Sequence, residues 1–120
     1  MPGFVDAHHH VTQSYGKSLV YGEPSEIFRR VWVPLESTLN ARHLYASSKL
    51  SALEALRGGF TTVCDAGTRS SEDLDAIVQA TTDVGIRCVL GLICNDKHSA
   101  VLLDAEPIVA RAQAHLQQWE

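Results

Sequence analysis

No run of apolar residues in this sequence approaches the roughly 18 needed to cross a bilayer, and no charged-then-apolar leader follows Met1. A membrane partner and a secretory signal are therefore not expected. Basic charge is also scarce. Ten Lys and Arg stand against fourteen Asp and Glu, a formal net charge of -4, and Arg29-Arg30 is the sole adjacent Lys/Arg pair. That balance argues against a nucleic-acid partner, which needs a clustered basic face. The three cysteines, Cys64, Cys88 and Cys94, are odd in number and form no C-x-x-C motif. Reduced thiols, buried at Cys64 and Cys88, and a cytoplasmic location are the expectation. A Gly-x-Ser-x-Gly elbow is missing too, so Ser14, Ser18, Ser47 and Ser48 lack the setting of a nucleophile.

What remains is the composition of an ordinary folded unit. Hydrophobic residues make up 45% and charged residues 20% of 120 residues, enough for a modest core. No linker, low-complexity tract or repeat divides the chain, and residues 1–120 read as one continuous unit.

Apolar runs and helical spacings alternate along it. Phe4–Val11 predicts a first strand. Residues 12–38, broken by Gly16, Gly22, Pro24 and Pro34, read as a long lid-like loop. A short helix is expected within it around Ser25–Trp32, capped by Ser25. A longer helix follows from about Asn40 to Arg57, with Ala46, Leu50, Leu53 and Leu56 at spacings of three and four and Gly58-Gly59 as its stop. Phe60–Asp65 predicts a buried strand. Ser70 and Asp73 resemble a capping box opening the next helix, with Leu74, Ile77, Val78, Thr81 and Val84 as its stripe. Ile86–Ile93 predicts a third strand. After a loop at 96–105, with a helical turn at Ala100–Leu103, Pro107 marks the start of a last helix carrying Ile108, Val109, Ala112, Leu116 and Trp119. The order β-α-β-α-β-α is α/β: a parallel sheet covered by helices.

The first strand ends in chemistry. In Pro2-Gly3-Phe4-Val5-Asp6-Ala7-His8-His9-His10, alternation puts Asp6, His8 and His10 on one face and His9 on the other. Two neutral imidazoles side by side are half of a tetrahedral metal site. A purification tag also leaves histidines, but tags are usually longer and lie beyond native sequence. Asp65 ends the second strand at the same edge of the sheet, as a ligand or a supporting carboxylate. Gln13 reads equally as a substrate-facing or a solvated glutamine. Phe28 and Trp32 read as pocket wall or lid packing. His43, His98 and His115 have no spacing that ties them to the pair, and read as surface or capping residues.

The Pro2–His10 run resembles the metal-binding strand of the amidohydrolase superfamily. Ser48–Asp65, with Leu-Glu-Ala-Leu-Arg-Gly-Gly-Phe-Thr-Thr-Val-Cys-Asp at its end, is similar to that family's first barrel helix running into its second strand. Arg29–Glu36 resembles the lid insertion of its cytosine-deaminase-like and chlorohydrolase-like branch, and Gly85–Gly91 the entry to its third strand. The resemblance implies a partial (β/α)8 barrel, the first three βα units with a long loop after strand one, and a site at the C-terminal strand ends. It implies His8 and His10 as ligands of a divalent ion, zinc or iron, with Asp6, Gln13 and Asp65 as supporting or substrate-facing candidates. It implies hydrolysis of C–N bonds other than peptide bonds, most often deamination of a small nitrogen heterocycle by metal-activated water.

A complete barrel takes about 250 residues, and in the family the remaining ligands follow strands five and eight. The segment is therefore expected to be an N-terminal portion with weak metal affinity and no hydrolysis of its own. Its open sheet edges favour a homo-oligomer. The competing expectation is an inactive α/β fragment or a partner-binding half-barrel. A self-contained flavodoxin-like unit ranks last, for want of a glycine-rich phosphate loop.

Overall fold

The first crossover of the chain is much longer than the second, and it places the lid beside the strand ends. The computed structural model describes residues 1–23, 26–70, 74–94, 97–98, 101–102 and 105–118. Strand β1 (Phe4–His9) leads into a 3-10 helix (Val11–Val20), a π-helical turn (Phe28–Trp32), α1 (Val33–Ser37) and α2 (Ala41–Arg57). Strand β2 (Phe60–Asp65), α3 (Asp75–Val84) and β3 (Arg87–Val89) follow. The three strands are parallel, in the order β1-β2-β3. A small antiparallel pair, β4 (Lys97–His98) and β5 (Val101–Leu102), precedes α4 (Ala105–Gln118). The α/β reading holds.

Local chemistry explains the boundaries of α2. The Asn40 side chain accepts from the His43 N–H at 3.0 Å, and the His43 ring accepts from the Asn40 N–H at 3.5 Å. This reciprocal cap fixes the start, and His43 is a capping residue as expected. At the other end Gly59 takes φ +88°, a conformation other residues resist. The buried face differs from the expected one. Leu44, Ser47, Ser48, Ser51, Ala52 and Ala55 line the core, while Leu50 and Leu53 stay 39% and 46% exposed. Small side chains let the helix lie close to the sheet, and Ser47 donates to the Thr12 carbonyl at 2.9 Å.

Residues 12–38 are more regular than the loop expected. Pro34 does not break helix there: it sits in the first turn of α1, where an N–H has no intrahelical partner anyway. The expected short helix is displaced to 28–37, and its Ser25 cap lies outside the described residues. Trp32 packs the lid against the 3-10 helix, since a Cβ at Gly16 would stand 2.3 Å from its ring.

Val63 of β2 is fully buried among Leu44, Ala52, Ala55, Leu74, Ile77 and Ile86, while Cys64 and Cys88, expected to be buried, are both half-buried. Helix α3 begins at Asp75, later than the proposed Ser70 start, and the Ser70 hydroxyl donates to the Leu39 carbonyl at 2.8 Å. Asp73, the other half of that cap, lies outside the described residues. Strand β3 stops at Val89 rather than Ile93, because its partner β2 ends one residue after the Cys64–Val89 pair. Between Val89 and Ile93, Gly91 lies against the Asp65 backbone. In place of the helical turn expected at Ala100–Leu103, the described residues Val101–Leu102 form strand β5, and Ala100, Leu103 and Trp119 lie outside the described residues.

Candidate metal centre

Strand β1 is irregular where its chemistry lies. Asp6 pairs with Val63 and His9 with Asp65, three steps along β1 for two along β2. One residue is surplus, a bulge, and strict alternation ends there. The Asp6 carboxylate bridges the bulge: Oδ1 accepts from the His8 N–H at 3.1 Å, and Oδ2 lies 2.7 Å from His9 Nδ1. The hydrogen bond from His9 holds the Asp6 carboxyl below its ordinary range, against the opposing pull of desolvation. His9 Nε2 lies 2.6 Å from Ser51 Oγ on α2. Alternation grouped Asp6 with His8 and His10. The bulge instead turns the carboxylate to His9.

His8 and His10 do meet. Their ring centroids stand 5.2 Å apart at 80°. Two imidazoles on one tetrahedral ion, with metal–nitrogen bonds of about 2.1 Å, have centroids about 5 Å apart, so the pair fits a shared divalent cation. His10 Nδ1 is buried without a hydrogen-bond partner, a polar atom that needs one. Among the described residues no group of three or more His, Cys, Asp and Glu is placed to hold an ion, so no third candidate stands with the pair there.

Asp65 is committed to the backbone. Its Oδ1 accepts from the Val11 N–H and its Oδ2 from the Gly67 N–H, both at 3.0 Å. Burial pushes its carboxyl above the usual range, and the two amides pull it back. The arrangement ties the segment after His10 to the end of β2.

Gln13 donates to Glu36 Oε1 at 3.0 Å, beside the Thr12 hydroxyl at 3.3 Å. Glu36 is wholly buried, and its Oε2 receives the Arg69 guanidinium at 2.9 Å and the Arg69 N–H at 3.3 Å. Sequence reasoning assigned no role to Glu36, Arg69 or Ser51. A charge at Glu36 between Leu35 and Leu39, on an otherwise apolar face, was the available signal for the first. A cleft of about 1030 Å³ opens between the lid, the segments after β2 and β3, and α4. Phe28 lines it and stacks on Arg69 at 4.1 Å, as the pocket-wall reading requires; Trp32 follows the packing reading.

The sequence model of the amidohydrolase family matches residues 1–119. The chain belongs to the amidohydrolase family. It is 36% identical over 93 residues to a 5-methylthioadenosine/S-adenosylhomocysteine deaminase of Thermoanaerobacter pseudethanolicus, covering 74% of this chain and 20% of that one. It is 29% identical over 120 residues to a 5'-deoxyadenosine deaminase of Methanopyrus kandleri, covering 94% of this chain and 27% of the relative. The chain thus spans roughly a fifth to a quarter of the curated relatives it matches. A zinc-bound adenosine deaminase from Xanthomonas campestris superposes over 100% of this chain and 27% of its own, with TM-score 0.77 and 24% identity. Atrazine chlorohydrolase from Arthrobacter aurescens, complexed with zinc, superposes over 100% and 31%, with TM-score 0.64 and 20% identity. The parallel three-stranded sheet of this chain matches the N-terminal part of the barrel in those neighbours.

Proposed function

We propose that this chain supplies the first two ligands, His8 and His10, of a metal-dependent hydrolase acting on C–N bonds other than peptide bonds. Its most fitting reaction is hydrolytic deamination of a nitrogen heterocycle, and the names of its relatives point to adenine nucleosides. The observation that carries the reading is the edge-to-face pair at 5.2 Å, at the end of a parallel strand. A divalent ion held there, zinc foremost, would activate water for attack near neutral pH.

The chain's own residues prepare the site around the pair. Asp65 fixes the backbone that follows His10, through the Val11 N–H. Glu36 draws Thr12, Gln13 and Arg69 together, tying the lid to the segment after β2. Phe28 and Arg69 wall the cleft between the lid and the segments after β2 and β3, where a flat heterocycle can stack.

The test is ammonia release from adenosine, 5'-deoxyadenosine and S-adenosylhomocysteine by the whole gene product, with and without His8→Ala. We expect at least a hundredfold loss of kcat/KM, roughly the range that impaired metal sites display. Unchanged activity would remove the ligand role. The 120-residue chain alone is expected to be inactive. A second reading, an inactive unit that docks a partner, is favoured by the absence of a third ligand among the described residues. Zinc analysis of the whole gene product separates the two.

A further inference from the structure

Asp6, His9 and Ser51 form a continuous line of carboxylate, imidazole and hydroxyl, with links of 2.7 and 2.6 Å. Order and distances are those of a hydrolytic triad. A nucleophile reading nevertheless fails. Ser51 is 2% exposed and lies inside α2, where neighbouring N–H groups are engaged in the helix and cannot form an oxyanion hole.

The line does different work, and its place in the fold says what. His9 is the residue between the two candidate ligands, just past the surplus residue of β1. It is held from three directions. Asp6 grips its ring from the same strand, Ser51 grips it from α2, and its carbonyl accepts from the Ala66 N–H at 2.7 Å. An ionised carboxylate only accepts, so Nδ1 of His9 carries a proton, and in the neutral ring Nε2 accepts the Ser51 O–H. The neighbours of Ser51 on the buried face include Ala52 and Ala55, so packing alone would be served by alanine. The hydroxyl is needed by His9.

We propose that Asp6, His9 and Ser51 are positioning residues that lock the β1 bulge and so hold His8 and His10 at the separation one ion requires. The proposal rests on the reading of that pair as metal ligands. Strand alternation alone would put the two rings on one side. It would not set their spacing across a bulge.

The experiment is long-range proton–nitrogen correlation on the 120-residue chain labelled with nitrogen-15 at histidine, with zinc chloride as the probe. Wild type, Ser51→Ala, Ser51→Thr and Asp6→Asn are compared, and far-ultraviolet circular dichroism reports folding of each. We expect His9 in the Nδ1–H form in the wild type. In Ser51→Ala the ring signals of His8 and His10 move although neither residue was changed, and the zinc midpoint rises roughly tenfold. Ser51→Thr, which keeps the hydroxyl, restores both. Should Ser51→Ala fail to fold, Asp6→Asn and Ser51→Thr carry the same comparison. An Nε2–H form of His9, or unmoved His8 and His10 signals in the folded variants, overturns the proposal. A wild type whose rings ignore zinc removes the ligand reading instead, while the tautomer and the ring shifts still decide the positioning role.

Discussion

Glu36 and Arg69 meet at 2.9 Å with the carboxylate wholly removed from water. A buried charge is tolerated only when its hydrogen-bonding capacity is met, and four donors meet it here. Glu36→Ala strands the Arg69 guanidinium and should cost about 3 kcal/mol in urea unfolding. Glu36→Gln, which keeps the shape and loses the charge, should fall between. A loss below about 1 kcal/mol for the alanine variant would show the network to be dispensable.

Asp65→Ala removes the acceptor of two amides, at Val11 and Gly67, in a place where water is scarce. Each unpaired amide costs about 1–3 kcal/mol, so a loss of about 3 kcal/mol is expected. Amide exchange should accelerate at Val11 and Gly67 before it does in α2. Uniform exchange across the fold would count against a local clamp.

The candidate ligands and the cores of the elements were readable because their causes are local. Asn40 and Gly58-Gly59 bound α2 from within a few residues, and Phe60–Asp65 forms its strand as expected, although only Val63 and Asp65 in it are buried and the other four residues are half-buried. The bulge was not readable, because register belongs to two strands and the run Pro2–His10 contains only one of them. Ser51 and Glu36 were missed for a related reason: their partners lie 42 and 33 residues away. For α2, helical spacing announced a buried face without saying which. The leucines at 50 and 53 share the period of the serines at 47, 48 and 51, and only the nearness of the sheet chooses between them.

Gly91→Ala should destabilise by about 2 kcal/mol, since its Cβ would lie 2.4 Å from the Asp65 carbonyl oxygen. The clash is with backbone and cannot be relieved by a rotamer change. Thermal unfolding compared with Gly58→Ala separates crowding from the general loss of a glycine, since Gly58 has φ -78° and its Cβ would come no nearer than 3.3 Å to a neighbour.

Burial pushes the Cys88 thiol up to about 11. The folded chain holds that proton more tightly than the unfolded one, so this contribution to stability is complete below the ordinary thiol value and lost as pH rises through about 11. Iodoacetamide at pH 8.5 should alkylate exposed Cys94 well before Cys88, and urea should abolish the difference. Equal rates in the folded chain would contradict the burial.

Phe4 and Val5 on β1, and Val89 on β3, are 60%, 61% and 59% exposed on the two edge strands of the sheet. Open edges with apolar side chains invite pairing, and sedimentation should report association that grows with concentration. Val5→Lys with Val89→Lys should shift the distribution towards monomer. A wild type that stays monomeric at high concentration would refute the expectation.

The Glu36 network also imposes an order on biosynthesis. Thr12 and Gln13 leave the ribosome before Glu36, but Arg69 is made 33 residues later. Until it emerges, the carboxylate has no counter-charge among these partners, and withdrawing it from water is unfavourable. The Glu36 side chain is therefore expected to stay in water until Arg69 has left the ribosome, and a chain truncated before residue 69 should leave that carboxylate hydrated.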